Sequence, residues 1–205
     1  MSGCDDCGPK NLSHASPAYK RALWIVVLLN VGMGLAELVG GFIAASQSLK
    51  ADSLDFLGDG IITFIGLLSI GWSMKARSRT ALIQGYFLAA LGVGVLTAAG
   101  YRFFAQQLPE AEIMGGIGFI ALAVNIIAAL VIRPHKEGDA NTRAIWLFSR
   151  NDALNNVAVM IAAGLVAWTQ TAWPDLIVAV IIAGVFLQSA YAIITDARRE
   201  LKQAV

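Results

Sequence analysis

The sequence predicts an all-α membrane protein with six transmembrane helices and both chain termini in the cytosol. Two observations predict the fold. Of the 205 residues, 57% are hydrophobic and 14% are charged, and the apolar residues fall into six long runs. A soluble domain carries about 25% charged residues, so the shortage of charge excludes an ordinary soluble protein. A third observation, the placement of lysine and arginine, predicts the orientation.

Each run is long enough to cross the hydrocarbon, for which a helix needs roughly 20 apolar residues. Backbone hydrogen bonds inside a membrane have to be satisfied within the segment, and runs of this length favour helices over barrel strands. The predicted spans are 21–44, 51–74, 80–104, 113–132, 142–169 and 174–195.

Lysine and arginine are concentrated before helix one, after helices two, four and six, and are sparse elsewhere. The opposite side of the membrane has only Lys50 and Arg102. The positive-inside rule therefore predicts cytosolic termini. We expect a flexible N-terminal tail over 1–20, a six-helix transmembrane domain over 21–196 and a short tail over 197–205 in a multi-pass protein of the bacterial inner membrane. The N-terminus has no secretory signal.

Helix one contains two polar residues, Asn30 and Glu37, and a stripe of small residues, Gly32, Ala36 and Gly40. A small residue at every fourth position permits close helix packing. Ordinary glycine usage in membrane helices explains the stripe equally well.

Helix two contains three carboxylates, Asp52, Asp55 and Asp59. A charged group at the bilayer centre costs about 3 kcal/mol or more, so each is a functional candidate. Residues four apart share a helix face with Cβ atoms about 5–6 Å apart, so Asp55 and Asp59 repel each other unless a cation or protons intervene. For Asp52 we favour a helix N-cap facing water, with a further metal ligand as the alternative.

Helices three and four offer few candidates, and Asn125 in helix four is expected to form an interhelical hydrogen bond. Helix five contains Asp152, ten residues from Thr142, or ~15 Å into the membrane. Asp59 lies nine residues from Lys50, or ~13 Å in from the other side. Both aspartates therefore reach the middle of a core about 30 Å thick.

A structural ion pair is the alternative to a cation site. Arg150 could neutralise one carboxylate, and Glu37 is its most reasonable partner. Three aspartates on helices two and five would still have no basic partner, so we favour a cation site.

Several segments resemble the cation diffusion facilitator family of divalent metal/proton antiporters, over nearly the whole chain. The likeness is carried by Asn30, Glu37, Gly40, Ser48 and Leu49, by ADSLDFLGDG with Asp55 and Asp59, by Asp152 in helix five, and by Pro174 with Asp175 at the start of helix six. It implies a metal site made of Asp55, Asp59 and Asp152, zinc as the cargo with cadmium as the chemically similar ion, and a homodimer.

Three departures from the family pattern affect these expectations. Phe148 stands where the family has a histidine in helix five, and His135 is the only histidine in the loop before it. We expect no counterpart of the family's cytosolic C-terminal domain after helix six, so the chain is expected to be a short form. Without the histidine the ligands are oxygen-rich, which harder ions such as manganese, iron or cobalt also accept. Asn156, or Asn151, is then the candidate fourth ligand.

The predicted function is metal efflux by alternating access, with no enzymatic activity and no cofactor besides the transported ion. Three carboxylates crowded together cannot all stay ionised without a cation, so protons should replace the metal. Membrane lipid and protons are the other expected partners. Nucleic acid is not, because no basic run tracks phosphate.

Two other functions fit part of the pattern. An aspartyl-type membrane protease would use Asp59 and Asp152 as its catalytic pair, and a passive cation channel would use the acidic residues for selectivity. Cys4 and Cys7 form a CxxC that is either a metal-capture motif or a pair of incidental thiols in the tail, since two sulfurs do not complete a structural zinc site.

Overall fold

A computed structural model describes residues 17–68, 72–105, 107–135 and 140–203, with the side chains of 105, 135, 140–151 and 203 outside that description. The described chain forms six α-helices: α1 Pro17–Ile43, α2 Gln47–Leu68, α3 Met74–Ala105, α4 Ala111–Ile132, α5 Ala140–Thr169 and α6 Trp173–Gln203. They correspond one to one with the six predicted spans. α6 continues to Gln203, beyond the predicted end near residue 195.

The helices pack into a bundle in which α1 lies against α2 and α4, α4 against α5, and α3 against α6. The turns after α1, α3 and α5 meet at one end, which we call the turn face. There the Glu110 N–H donates to the Ala44 carbonyl at 2.9 Å, and Arg102 donates to the Ala45 carbonyl. Both ends of the described chain lie at the opposite end, the termini face.

Large apolar side chains cover the outside of the bundle. Leu28, Ile83, Phe104 and Trp168 are 66%, 70%, 83% and 82% exposed. Five of the described helices are long and apolar enough to cross a membrane, and α2 is not among them. The reason is its content of Lys50 and three aspartates within its first four turns.

Glycines bring α1 and α2 into close contact, but not those of the predicted stripe. A Cβ added to Gly34 would lie 3.0 Å from the Ser53 carbonyl, and one added to Gly60 would lie 2.8 Å from Val31 Cγ2. A Cβ on Gly32 would meet nothing within 4 Å, and Ala36 is exposed. Ordinary glycine usage, one of the two explanations left open, therefore fits Gly32 and Ala36, which face away from the neighbouring helices, whereas a Cβ on Gly40 would clash with Ile117 of α4.

The turn after α1 has the hydrogen bonds of a Schellman motif. Ala45 has φ 53°, and the N–H groups of Ala45 and Ser46 donate to the carbonyls of Phe42 and Gly41. This pattern satisfies carbonyls that the helix end leaves free. It ends α1 sharply and allows α2 to start at Gln47.

Candidate metal site between α2 and α5

The three aspartates of α2 follow one face of the helix, because their spacing of three and then four residues matches its period. We call Asp52, Asp55 and Asp59 the carboxylate ladder. Asp52 is 0% exposed, whereas Asp55 and Asp59 are half-buried. The ladder thus runs from the fully buried part of α2 toward the middle of the helix.

Asp52 does not cap α2, so that prediction was wrong. The helix begins at Gln47, which puts Asp52 more than one turn inside it, and no part of Asp52 faces water. The capping role belongs to Ser46, whose Oγ accepts a hydrogen bond from the Leu49 N–H at 3.1 Å. Cap geometry depends on where the helix starts, and the apolar pattern had suggested a later start.

Asp152 of α5 lies beside the ladder. Its carboxyl group interacts electrostatically with those of both Asp55 and Asp59 and is within hydrogen-bonding reach of each. α2 touches α5 over a short stretch only. Asp59 and Asp152, which sequence depth placed at one level, are thus neighbours in the structure, and Asp55 lies beside them.

Two amides of α5 flank the cluster in different ways. Asn155 donates from Nδ2 to Asp55 Oδ2 at 3.3 Å. Asn156 is fully buried and donates to the backbone carbonyl of Asp152 at 2.8 Å, while its Oδ1 has no hydrogen-bond partner. Asn155 was not predicted as a site residue, although its position three residues after Asp152 puts both side chains on one face.

A second acidic contact was also missed. Glu37 of α1 is 0% exposed, and its carboxyl group interacts with that of Asp52. None of the four oxygens has a hydrogen-bond partner among the described donors. The signal was present in the sequence, since Glu37 and Asp52 stand on consecutive helices at similar distances from the turn that joins them.

The cluster is acidic without a described basic partner. Among the residues whose side chains are described, the ion pair that forms joins Arg199 to Asp196 at 3.9 Å, away from the ladder. No three described His, Cys, Asp or Glu side chains converge as they stand on one point suitable for a metal ion. The three carboxyl groups are electrostatic neighbours whose oxygens do not share a common centre.

Asn125 is buried, but its Nδ2 has no hydrogen-bond partner. The expected interhelical bond from that amide group is therefore not formed. Other sequence predictions fall outside the described residues or side chains: Cys4, Cys7, His135, Phe148, Arg150 and Asn151.

Comparison with known proteins gives one family. Residues 23–202 match the family described as the cation efflux transmembrane domain. The chain is 27% identical over 91% of its length to a protein of Bacillus velezensis named a cadmium, cobalt and zinc/H(+)-K(+) antiporter, and covers 64% of that relative. It is 27% identical over 88% of its length to the Escherichia coli zinc transporter ZitB, and covers 62% of it.

The chain is also 25% identical over 83% of its length to the metal cation efflux system protein CzcD of Cupriavidus metallidurans, and covers 58% of that relative. The chain thus spans about three fifths of the length of the curated relatives it matches. The family match, the bacterial relatives and the five apolar helices make it a multi-pass integral protein of the bacterial inner membrane. The match covers nearly all of the helical bundle, and the chain belongs to the cation efflux transmembrane domain family.

Proposed function

We propose that the chain moves a divalent metal cation, zinc first and cadmium next, out of the cytosol in exchange for protons. One observation carries the proposal: three carboxyl groups from α2 and α5 interact with one another inside an apolar bundle, and no described ion pair neutralises them. Like charges of this kind in a low-dielectric medium require a cation or protons. A bound divalent ion supplies two positive charges at the point where they are needed.

The ligands we assign are Asp55, Asp59 and Asp152, with Asn156 as the fourth. The Oδ1 atom of Asn156 accepts no hydrogen bond from a described residue, so it is available to bind the ion. Zinc accepts carboxylates in tetrahedral sites, and the relatives' names include zinc, cadmium and cobalt. A harder ion such as manganese or iron is the second candidate, because an all-oxygen set also suits it.

Metal binding has to draw the carboxyl groups together. Their oxygens interact but do not converge on one centre, so the ion would pull α2 and α5 closer. The contact between these helices is short, which leaves room for that movement. We assign alternating access to this movement of α2 against α5. Both termini are assigned to the cytosol, and the functional unit is assigned as a homodimer.

Proton exchange follows from the chemistry of the ligands. Carboxylates bind metal only when deprotonated, so protons and metal compete for the same oxygens. Lower pH on the binding side therefore raises the KM for metal, and an inward proton gradient drives metal outward. The antiporter name of the Bacillus velezensis relative agrees with this exchange.

The test is zinc flux into proteoliposomes with an imposed pH gradient, for the wild type, Asp59→Asn and Asp152→Asn. Each variant replaces a charged carboxylate ligand with a neutral amide that cannot exchange protons, so we expect transport to fall by more than the roughly 10- to 100-fold typical of losing an outer-shell partner. Asp196→Asn is the matched control, since Asp196 is an exposed aspartate on α6 and should leave transport unchanged.

Three outcomes would contradict the proposal. Normal zinc flux in both site variants would show that Asp59 and Asp152 are not ligands of the transported ion. Flux that neither saturates with zinc nor responds to pH indicates a channel. Peptide cleavage that both substitutions abolish, without metal flux, indicates an aspartyl-type protease.

A further inference from the structure

Asp175, in the first turn of α6, binds the start of α2. Its Oδ1 accepts hydrogen bonds from Ser46 Oγ at 2.6 Å, Ser48 Oγ at 2.6 Å and the Ser48 N–H at 3.0 Å. Its Oδ2 accepts one from the Gln47 N–H at 2.7 Å. Asp175 is 1% exposed, so water does not replace these contacts.

The contact fixes the end of α2 more firmly than an ordinary cap. The first N–H groups of a helix have no partner within it, and here a carboxylate from another helix takes two of them. A negative charge is also favourable at a helix N-terminus, and hydrogen bonds to a charged group contribute about 1.5–3 kcal/mol each. Both the axial position and the rotation of the first turn of α2 are thereby set by α6.

Ser48 stands on the same helix face as the carboxylate ladder. It precedes Asp52 by four residues, and the ladder continues by three and then four, so the four side chains lie in one row. Asp55 is seven residues from Ser48, or ~10 Å along the axis. Fixing the direction of Ser48 therefore fixes the direction in which Asp55 and Asp59 face α5.

We infer that Asp175 is the positioning residue that aims the α2 carboxylates at Asp152 and so sets the affinity of the proposed metal site. The inference rests on the proposed function for its metal readout. The alternative is that Asp175 only holds the bundle together. In that case its loss would lower stability and the amount of inserted protein, but not the KM of the molecules that insert.

The variant is Asp175→Asn, which keeps the shape but removes the charge and turns an NH₂ group toward N–H and O–H donors. We expect the KM for zinc to rise about tenfold, with Vmax per inserted molecule within about twofold, as for an interaction that acts on binding rather than turnover. The zinc Kd of the detergent-solubilised protein should rise in parallel. Asp196→Asn on the same helix is the control and should change neither.

A second readout does not need metal. Spin labels at Leu68 and Tyr191, both exposed, report the distance between the far end of α2 and a point in the second half of α6, in a background with Cys4 and Cys7 replaced by serine. Leu68 lies 20 residues beyond Ser48, so a tilt of about 5° moves it by roughly 2–3 Å over a helix length of ~30 Å. We expect a narrow distance distribution in the parent and a shifted or broadened one in Asp175→Asn.

The double variant Ser46→Ala/Ser48→Ala keeps the charge and the two backbone bonds but removes both hydroxyl donors, together with the Ser46 cap on the Leu49 N–H. It should shift the KM in the same direction by a smaller factor, and it carries the test if Asp175→Asn does not insert. An unchanged zinc KM together with an unchanged label distance overturns the inference. If the parent neither binds nor transports zinc, the proposed function is refuted. A label distance that still differs between the parent and Asp175→Asn would then support the positioning role of Asp175 alone.

Discussion

At the scale of single residues, the site combines half-buried carboxylates with one amide donor. Asn155 is the described side chain that donates directly to a ladder carboxylate, at 3.3 Å from Asp55 Oδ2. Such a bond orients the carboxylate and leaves its other oxygen free. The role resembles that of the outer-shell partners that orient metal ligands in proteins.

We therefore expect Asn155→Ala to weaken metal binding without abolishing transport. The hydrogen bond is long and partly exposed, so its loss should cost about 1 kcal/mol, the middle of the usual range, and raise the KM for zinc about fivefold. Zinc uptake by proteoliposomes measures this. Thr169→Ala is the control on the same helix, since Thr169 donates to the Leu165 carbonyl at an exposed position. A KM unchanged by Asn155→Ala would exclude an orienting role.

At the scale of elements, α2 is the exceptional helix. It carries the ladder and is not apolar enough to cross a membrane alone, so its neighbours have to hold it in place. α1 does so through the glycine contact at Gly34, which lies against Leu57 and the Ser53 carbonyl. Because Ser53 directly follows Asp52, any displacement there moves the ladder.

Gly34→Ala tests this contact. The added Cβ would lie 2.8 Å from Leu57 Cγ and 3.0 Å from the Ser53 carbonyl oxygen, so α1 and α2 have to separate. Overpacking of this kind costs about 1–3 kcal/mol, and we expect lower thermal stability in detergent together with a raised KM for zinc.

Gly32→Ala is the matched control, because a Cβ at Gly32 meets nothing within 4 Å. Replacing a helical glycine with alanine favours the helix by up to about 1 kcal/mol, so this variant should be as stable as the parent or more so. Equal behaviour of the two variants would show that the α1–α2 contact yields easily and does not position the ladder.

At the scale of the whole molecule, the two ends of the bundle are fastened differently. On the turn face, the Ala44–Ser48 segment is held by Asp175, Arg102 and Glu110 from three other parts of the chain. On the termini face, Ser78 donates to Glu200 and Arg198 donates to Tyr86, and both bonds join α3 to α6.

The orientation of these faces is testable with the chain's own cysteines. Cys4 and Cys7 are its two cysteines, and the positive-inside rule predicts that they lie in the cytosol. A membrane-impermeant maleimide should label them in inside-out vesicles and not in intact cells.

The control is Thr171→Cys in a chain with both native cysteines replaced by serine. Thr171 is an exposed residue of the turn face and should be labelled in intact cells. Labelling of Cys4 and Cys7 in intact cells would reverse the assignment, and would make the proposed transport inward.

The sequence predicted the helices and the level of the aspartates well, because both follow from local apolar runs and from the fixed rise of a helix. It failed for Asp52, because the start of α2 is set by the Ser46–Asp175 contact across 129 residues, which no local pattern contains. It also missed Asn155 in favour of Asn156. Spacing alone places both near Asp152, and only the packing of α5 against α4 and α2 separates them.

The contact between Asp175 and the α1–α2 turn has a consequence for the order in which the protein is made. The donors at Ser46, Gln47 and Ser48 are synthesised well over a hundred residues before their acceptor. α2 is not among the helices apolar enough to cross a membrane by themselves. Its first turn can form the hydrogen bonds to Asp175 only after α6 has been synthesised. We therefore expect α2 to be held in its final position only after α6 has been made.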